Sequence, residues 1–227
     1  LEAEGVDTRH LRRVPGLTAY CVIGHENGDR VFLSNDLGVS RFAPSDADLD
    51  LAATFDAAHV GQSSGLDAWL PAIAARTRLS YDFSTRRDDD HRRRVAPLCW
   101  LASISAGDMA GEAACRLGLS LRDAGAGRVL VTQGARGAIL VDADGEVHRD
   151  SGRRIVPVDT LGAGDTLIAG VLAGLLAGDA PAQVLARATD AAARTCGHPG
   201  AVGHGAPIAL PVDLPELAAL RGAGSDA

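Results

Sequence analysis

No lysine occurs among the 227 residues, and all 22 basic side chains are arginine. A Walker-type phosphate loop needs its lysine, a protein-kinase fold its strand lysine, and pyridoxal phosphate a Schiff-base lysine. All three are excluded, so any phosphate chemistry must rest on backbone N–H groups, arginine or metal. Aromatic residues are few, at 4%, and offer no base-stacking platform. Positive charge is also outweighed: the net charge is −7, which argues against nucleic acid or an anionic membrane as partner. The four cysteines, Cys21, Cys99, Cys115 and Cys196, are scattered without a Cys-x-x-Cys pair. That spacing predicts neither a zinc site nor a disulfide framework and fits a reducing cytoplasm. The longest apolar run, Leu167 to Ala177, is too short to span a bilayer. Gly170 and Gly174 within it have the spacing of a membrane dimer, but close packing of a soluble helix is the expected reason.

A signal-peptide pattern is missing from the start of the chain. It opens on Leu1 rather than Met, and Leu1–Arg13 carries neither a strand nor a cap, so a leading segment is expected to be absent. What remains is an ordinary globular composition, 46% hydrophobic and 22% charged, enough for one full core with a small appendage.

The most informative stretch runs from Ile155 to Leu176. Ile155, Val156 and Val158 read as a short strand, and Pro157 predicts that it lies at an edge or a strand end. A turn with Gly162 and Gly164 follows, and then an apolar helical pattern at Leu167, Ile168, Val171, Leu172, Leu175 and Leu176. Strand, glycine turn and helix leave free N–H groups at a helix start, and these with the helix dipole make an anion site. Glycine lets the backbone approach a phosphate, since no Cβ intervenes. Asp165 stands at the mouth of this site. A carboxylate there is either a cap and dipole partner or a base that takes the proton of a hydroxyl attacking a phosphoryl group.

Asp159-Thr160-Leu161-Gly162-Ala163-Gly164-Asp165-Thr166-Leu167-Ile168-Ala169-Gly170 resembles the C-terminal signature of the ribokinase/PfkB family of sugar kinases. The resemblance implies that Gly162, Ala163 and Gly164 form an anion hole with their backbone and that Asp165 is the catalytic base. It also implies a ribokinase-like α/β fold, a mostly parallel sheet flanked by helices with a small β lid. Thr132-Gln133-Gly134-Ala135-Arg136-Gly137 by itself reads as a hairpin turn. By the resemblance Thr132, Gly134 and Gly137 border the ATP phosphates, joined by the hydroxyl of Thr160. Where the family carries an Asn-x-x-Glu element that arranges Mg2+, this chain has Ser105-x-x-Asp108. Asp108 is therefore either the metal carboxylate or a helix cap. A monovalent cation near Asp159, as in some relatives, and a homodimer complete what the family implies.

The remaining chain alternates strands and helices, which predicts a parallel sheet covered on both faces, with ligands at the carboxyl ends of its strands. Leu17–Ile23 and Arg30–Leu33 read as a hairpin; the resemblance makes residues 17–44 a partial lid over the sugar. Ser45 with Asp48 is close to a capping box. Asp46, Asp48 and Asp50 do not form a calcium loop, because Leu51 and Ala57 occupy the places of its Gly and Glu. Ala57–Val60, Leu79–Phe83, Leu98–Ser103 and Arg128–Thr132 are predicted strands; Leu66–Ala75 and Met109–Leu121 are predicted helices. The mixed run Arg86–Arg94 reads as a solvated helix face rather than a metal site at Asp88 and His91. Asp142–Gly145 reads as a turn between Ala138–Val141 and Glu146–Arg149. A helix is expected from Pro181 to about Cys196, its small face bordering adenine by the resemblance. His198 and His204 sit in a glycine-rich loop that need not bind metal, and residues 222–227 are an expected disordered tail.

Within the family, Leu79-Ser80-Tyr81-Asp82-Phe83-Ser84, Gly125-Ala126-Gly127 and the ending with His198 and Gly203-His204-Gly205 resemble the fructoselysine kinases. The expected enzyme is thus a cytoplasmic kinase of one domain over 1–221, transferring the γ-phosphate of MgATP to a ketosugar or a fructosamine such as fructoselysine. The family's Gly-Gly-Asn sugar motif has no counterpart here, so a catalytically impaired sugar- or nucleotide-binding remnant is the rival. A Rossmann dehydrogenase fits worst, because its Gly-x-Gly-x-x-Gly fingerprint is missing and the turn carboxylate would repel a pyrophosphate.

Overall fold

Local sequence sets the elements, and apolar alternation sets the faces they bury. The computed structural model describes residues 1–26 and 29–203, and of 23–26 and 29–33 the backbone alone. The expected tail at 222–227 and His204 lie outside the described residues. The chain divides into two compact units, Leu1–Ala43 and a second beginning at Pro44. In the first, β1 (Tyr20–Glu26) and β2 (Asp29–Asp36) form the expected antiparallel hairpin, with β1 beginning later and β2 ending later than the sequence indicates. Outside the strands, the Ser40 hydroxyl accepts the Ala19 N–H at 3.0 Å, and the Arg12 guanidinium lies 5.0 Å from the centre of the Phe42 ring.

The second unit is a six-stranded sheet in the order β3 (Ala57–Gly61), β4 (Arg78–Asp82), β5 (Cys99–Ser105), β6 (Val129–Thr132), β7 (Ala138–Val141) and β8 (Val147–Asp150). Strands β3 to β6 run parallel, and the last two pair antiparallel. Parallel neighbours need crossovers. These are α2 (Leu70–Ala74), α3 (Asp89–Val95) and α4 (Gly111–Asp123); α1 (Asp46–Ala52) precedes the sheet, and α5 (Ala163–Leu176) and α6 (Pro181–Thr195) follow it. The start of α1 carries the full capping box, with Ser45 and Asp48 each accepting the other's backbone N–H.

Partners across the ladder share a face. One face, with Val60, Leu79, Tyr81, Ile104, Val129, Val131 and Val141, is covered by residues of α1 to α4. The other, with Leu101, Leu130, Ala138 and Leu140, is covered by Leu167, Ile168 and Val171 of α5 and by Val184, Leu185 and Ala188 of α6. Each fully buried side chain of this size contributes roughly 1.5–3 kcal/mol. Helices α5 and α6 pack through small residues: a Cβ on Gly170 would meet Ala188 at 3.0 Å, and one on Gly174 would meet Val184 at 2.8 Å. Close packing against α6 thus accounts for their spacing.

Three expectations need correction. Ile155–Val158 is not a strand: Arg153–Pro157 has no regular structure, and Val156 is 94% exposed. The edge position next to β7 is filled by β8, and Pro157 has no N–H to donate to a ladder. The helix expected over Leu66–Ala75 begins with a tight 3₁₀ turn at Asp67–Trp69 before α2. The run around α3 is not wholly solvated, for His91 is 1% exposed. Its Nε2 lies 3.1 Å from the Tyr81 hydroxyl, which donates to Asp67 Oδ1 at 3.0 Å, while its Nδ1 is 3.4 Å from Asp67 Oδ2. Asp88 caps α3 by accepting the His91 N–H at 2.7 Å and does not pair with the ring as a ligand would.

Two predictions follow from this buried network. Replacing Tyr81 with Phe strips the buried His91 of that partner and is expected to cost about 1–3 kcal/mol in urea unfolding. Burial lowers the His91 pKa below its usual 6.5, with Asp67 pulling the other way. Below 6.5 the unfolded chain takes up a proton that the folded one resists. Stability from the neutral ring is therefore complete above 6.5 and lost as pH falls through the folded value. Unfolding midpoints should drop between pH 7 and pH 5, and His91→Gln should flatten that slope.

Candidate active site

The carboxyl ends of β5 and β6 open on a cavity of about 400 Å³, bounded across the gap by the start of α5 and the end of α6. Its nearest wall is the turn before α5. Gly162 caps that helix with φ +80°, a left-handed conformation that favours glycine, and a Cβ there would stand 2.8 Å from Ala201. No side chain caps the helix. The Ala163 N–H reaches the Thr160 carbonyl at a long 3.3 Å, and the Thr166 N–H bonds the Gly162 carbonyl at 2.8 Å. The N–H groups of Gly162, Gly164 and Asp165 have no partner among the described residues. These donors and the positive end of a 14-residue helix favour an anion. Gly164 lines the cavity, and a Cβ on it would meet nothing within 4 Å. The Asp165 side chain, on the first turn of α5, is exposed. Thr166 Oγ1 lies 2.9 Å from Thr195 Oγ1, which ties this turn to the end of α6.

The opposite wall is the turn between β6 and β7. Gly137 has φ +92°, and its Cβ would fall 2.0 Å from the Asp150 carbonyl; that of Gly152 would fall 1.9 Å from the Ala135 carbonyl. The two backbones interlock, so neither position accepts a larger residue. Arg153 fastens the following loop to α6. It donates to Asp150 and Asp190 at 2.5 Å each, to the Ser151 carbonyl at 2.6 Å and to the Ala186 carbonyl at 3.2 Å. Ile155, Pro157, Leu167, Ala192, Ala193 and Cys196 give the cavity an apolar side, while Thr132, Thr160 and Thr189 give it hydroxyls.

The rim is a loop after β5 held by two arginines. Arg136 donates to the carbonyls of Gly107 and Met109, and Arg87 donates to both oxygens of Asp108 at 2.6 and 2.9 Å. Those bonds hold the Asp108 carboxyl down to about 2. Helix α4 is capped by Ala110, so the capping role weighed for Asp108 is overturned. Asp159 accepts the N–H groups of Leu161 at 3.0 Å and Gly200 at 2.9 Å. His198 stands beside the Pro199 carbonyl at 3.4 Å. Among the described residues the one group of side chains spaced to hold a metal ion is Asp142, Glu146 and His148, at the turn between β7 and β8.

The cavity thus gathers Thr132, Gly134, Gly137, Thr160, Ala163 and Gly164, all of them singled out in the sequence, with Gly162 and Asp165 on the same turn and Asp108 next to the lining residue Gly107. Sequence reasoning missed Gly152, Arg153 and Arg87. A pair of glycines 15 residues apart carries no local signal of interlocking, and the two arginines were hidden in charge runs.

A family model described as pfkB family carbohydrate kinase matches residues 1–208. The fructosamine kinase of Bacillus subtilis (strain 168) is 34% identical over 215 residues, which cover 92% of this chain and 75% of that protein. The fructoselysine 6-kinase of Shigella flexneri is 34% identical over 200 residues, 87% of this chain and 76% of that one. The fold is similar to ribokinase from Cryptococcus neoformans var. grubii serotype A in complex with ADP, with TM-score 0.72 and 20% identity over 88% of this chain and 72% of that one. A helix start whose N–H groups lack partners among the described residues beside a lysine-free cavity, and a match along nearly the whole sequence, have one common explanation: this chain belongs to the pfkB family of carbohydrate kinases, which phosphorylate sugars with ATP.

Proposed function

We propose that this kinase phosphorylates a fructosamine such as fructoselysine, with Asp165 as the general base. The carboxylate takes the proton of the acceptor hydroxyl as its oxygen forms a bond to the γ-phosphorus, and the bond from that phosphorus to the ADP oxygen breaks. The N–H groups of Gly162, Ala163 and Gly164 stabilise the charge spread over the transferring group. Thr132, Gly134, Gly137 and Thr160 line the nucleotide phosphates, and the apolar side formed by Ile155, Pro157 and Ala192 takes the base. The observation that carries this reading is an exposed carboxylate on the same helical turn as the cavity-lining Gly164, whose N–H has no partner among the described residues. The identity to a fructosamine kinase and a fructoselysine 6-kinase supports the substrate class.

Bound Mg2+ would neutralise charge on the phosphate oxygens, and Asp108 is the carboxylate that would hold it. The donor suits the ion, since Mg2+ takes hard oxygens and is satisfied by one or two carboxylates beside phosphate and water. Its pair with Arg87 is no obstacle, because the Asp108 side chain is 66% exposed and such pairs contribute little. A monovalent cation beside Asp159, a lid role for residues 17–44 and a cytoplasmic setting belong to the same reading. The last is supported by four thiols that form no disulfide.

Asp165→Asn keeps shape and removes the base. It is expected to lower kcat for fructoselysine by about 10²–10⁴-fold, with KM for ATP little changed. Steady-state ADP release measures both, and unchanged turnover would remove Asp165 from the mechanism. Across fructoselysine, fructose and ribose, kcat/KM should be highest for fructoselysine; a preference for ribose would sink the substrate assignment.

A further inference from the structure

The sheet face that packs under α5 changes character along its rows. Leu130 and Leu140 of β6 and β7 are buried beneath α5 and α6. Toward β3 the same rows become polar. His59 pairs with Ser80, Gly61 with Asp82, and Asp82 with Ser103, which pairs in turn with Leu130. Partners in a ladder share a face, so His59, Gly61 and Asp82 stand on the side of the sheet where α5 lies. Gly61 and Asp82 end β3 and β4, with His59 one row below on the same face, and ligands of such sheets bind at those carboxyl ends.

These groups are organised. Ser80 and Ser103 are fully buried. Ser80 Oγ lies 2.9 Å from His59 Nδ1, and the Ser103 hydroxyl donates to Asp82 Oδ1 at 3.0 Å. The Ser84 N–H donates to the same oxygen at 3.0 Å, which steadies the Asp82 carboxylate. With Nδ1 engaged by serine, His59 keeps Nε2 for another partner, and the residue is exposed. Between His59 and Asp82 stands Gly61, whose Cβ would meet nothing within 4 Å. The result is a small polar hollow with a fixed imidazole on one side and a fixed carboxylate on the other. Atoms packed around the ring lower the His59 pKa, while the fields of Asp82 and then Asp165 work against that shift. The ring is therefore within electrostatic reach of the proposed base.

We propose that this hollow holds the acceptor and that His59 is a specificity-determining residue, its Nε2 hydrogen-bonding a hydroxyl of the unphosphorylated sugar. The inference rests on the reading of Asp165 as the base. Hydrogen bonding at Nε2 fixes the sugar so that a neighbouring hydroxyl meets Asp165. A site bounded by two carboxylates and a neutral ring suits a neutral or ammonium-bearing sugar and repels a sugar phosphate.

The test compares His59→Ala, His59→Asn and His59→Gln, since Asn places its amide near the Nδ1 position and Gln near the Nε2 position. Both KM for fructoselysine at saturating ATP and the fructoselysine Kd by calorimetry are read, with thermal unfolding as the check on folding. The Ala and Asn variants should raise KM and Kd by roughly tenfold or more, as expected for one lost hydrogen bond and its geometry. KM for ATP should stay within about twofold, and Gln should recover most of the loss. Unchanged sugar KM and Kd in His59→Ala, or better rescue by Asn than by Gln, would overturn the inference, for His59 would then serve only Ser80. Gly61→Val is the independent variant: its side chain suits a strand and enters empty space, so the fold should hold while sugar KM rises. No rise would show that the hollow is not the acceptor site. Asp165→Asn should keep the parental fructoselysine Kd while turnover collapses, which separates failure of the base from failure of the hollow. A parent chain that neither binds nor turns over fructoselysine overturns both.

Discussion

Everything at one end of the cavity depends on where the first turn of α5 is held. A lysine-free chain can meet a polyanion only with arginine, metal and backbone donors, and the nearby arginines are committed. Arg87 grips Asp108, Arg136 grips two carbonyls, and Arg153 grips Asp150 and Asp190. On the proposed reading the backbone N–H groups at the helix start do the anchoring, and that role requires a firmly held helix. The apolar face of α5 provides this, with Leu167, Ile168 and Val171 seated on Leu130 and Leu140. The same helix carries its glycines against α6, so the two helices pack closely, with their shared threonine contact at the cavity end.

The opposite wall follows a different logic. Short backbone contacts replace side-chain packing: Gly137 and Gly152 let the turn after β6 and the loop after β8 press against each other closer than any Cβ allows. Arginine stitching then holds what has no apolar core to hold it. Loop residues Ile155 and Val156 stay exposed, and the loop owes its course to Arg153 and to the Val158 N–H bond to the Cys196 carbonyl rather than to burial.

Reading along the chain recovered elements whose signal is local. The capping box at Ser45, the hairpin turn at Asp142–Gly145, the left-handed Gly178 after α5 and Pro181 at the start of α6 each announce themselves within a few residues. Where the local signal and the tertiary setting disagreed, the setting prevailed. Ile155–Val158 has the composition of a strand, but a strand exists only with a neighbour to bond, and the sheet edge was already taken. His91 sits in a run of nine residues of which the others are all charged, and still it is buried, because one helical turn faces Tyr81 while the rest faces water.

The sequence by itself determined the family signature around Asp165, the alternation that makes a mostly parallel sheet and the absence of lysine that confines phosphate chemistry to backbone donors, arginine or metal. These depend on residue type and near spacing, which folding does not change. Only the tertiary structure decided that Asp108 is held by Arg87 rather than capping α4, that Gly152 and Arg153 complete the cavity wall, and that His59, Gly61 and Asp82 share one polar face under the level of α5. Those relations join residues of different elements, and their energy comes from contacts that exist only once the strands have paired and the helices have packed.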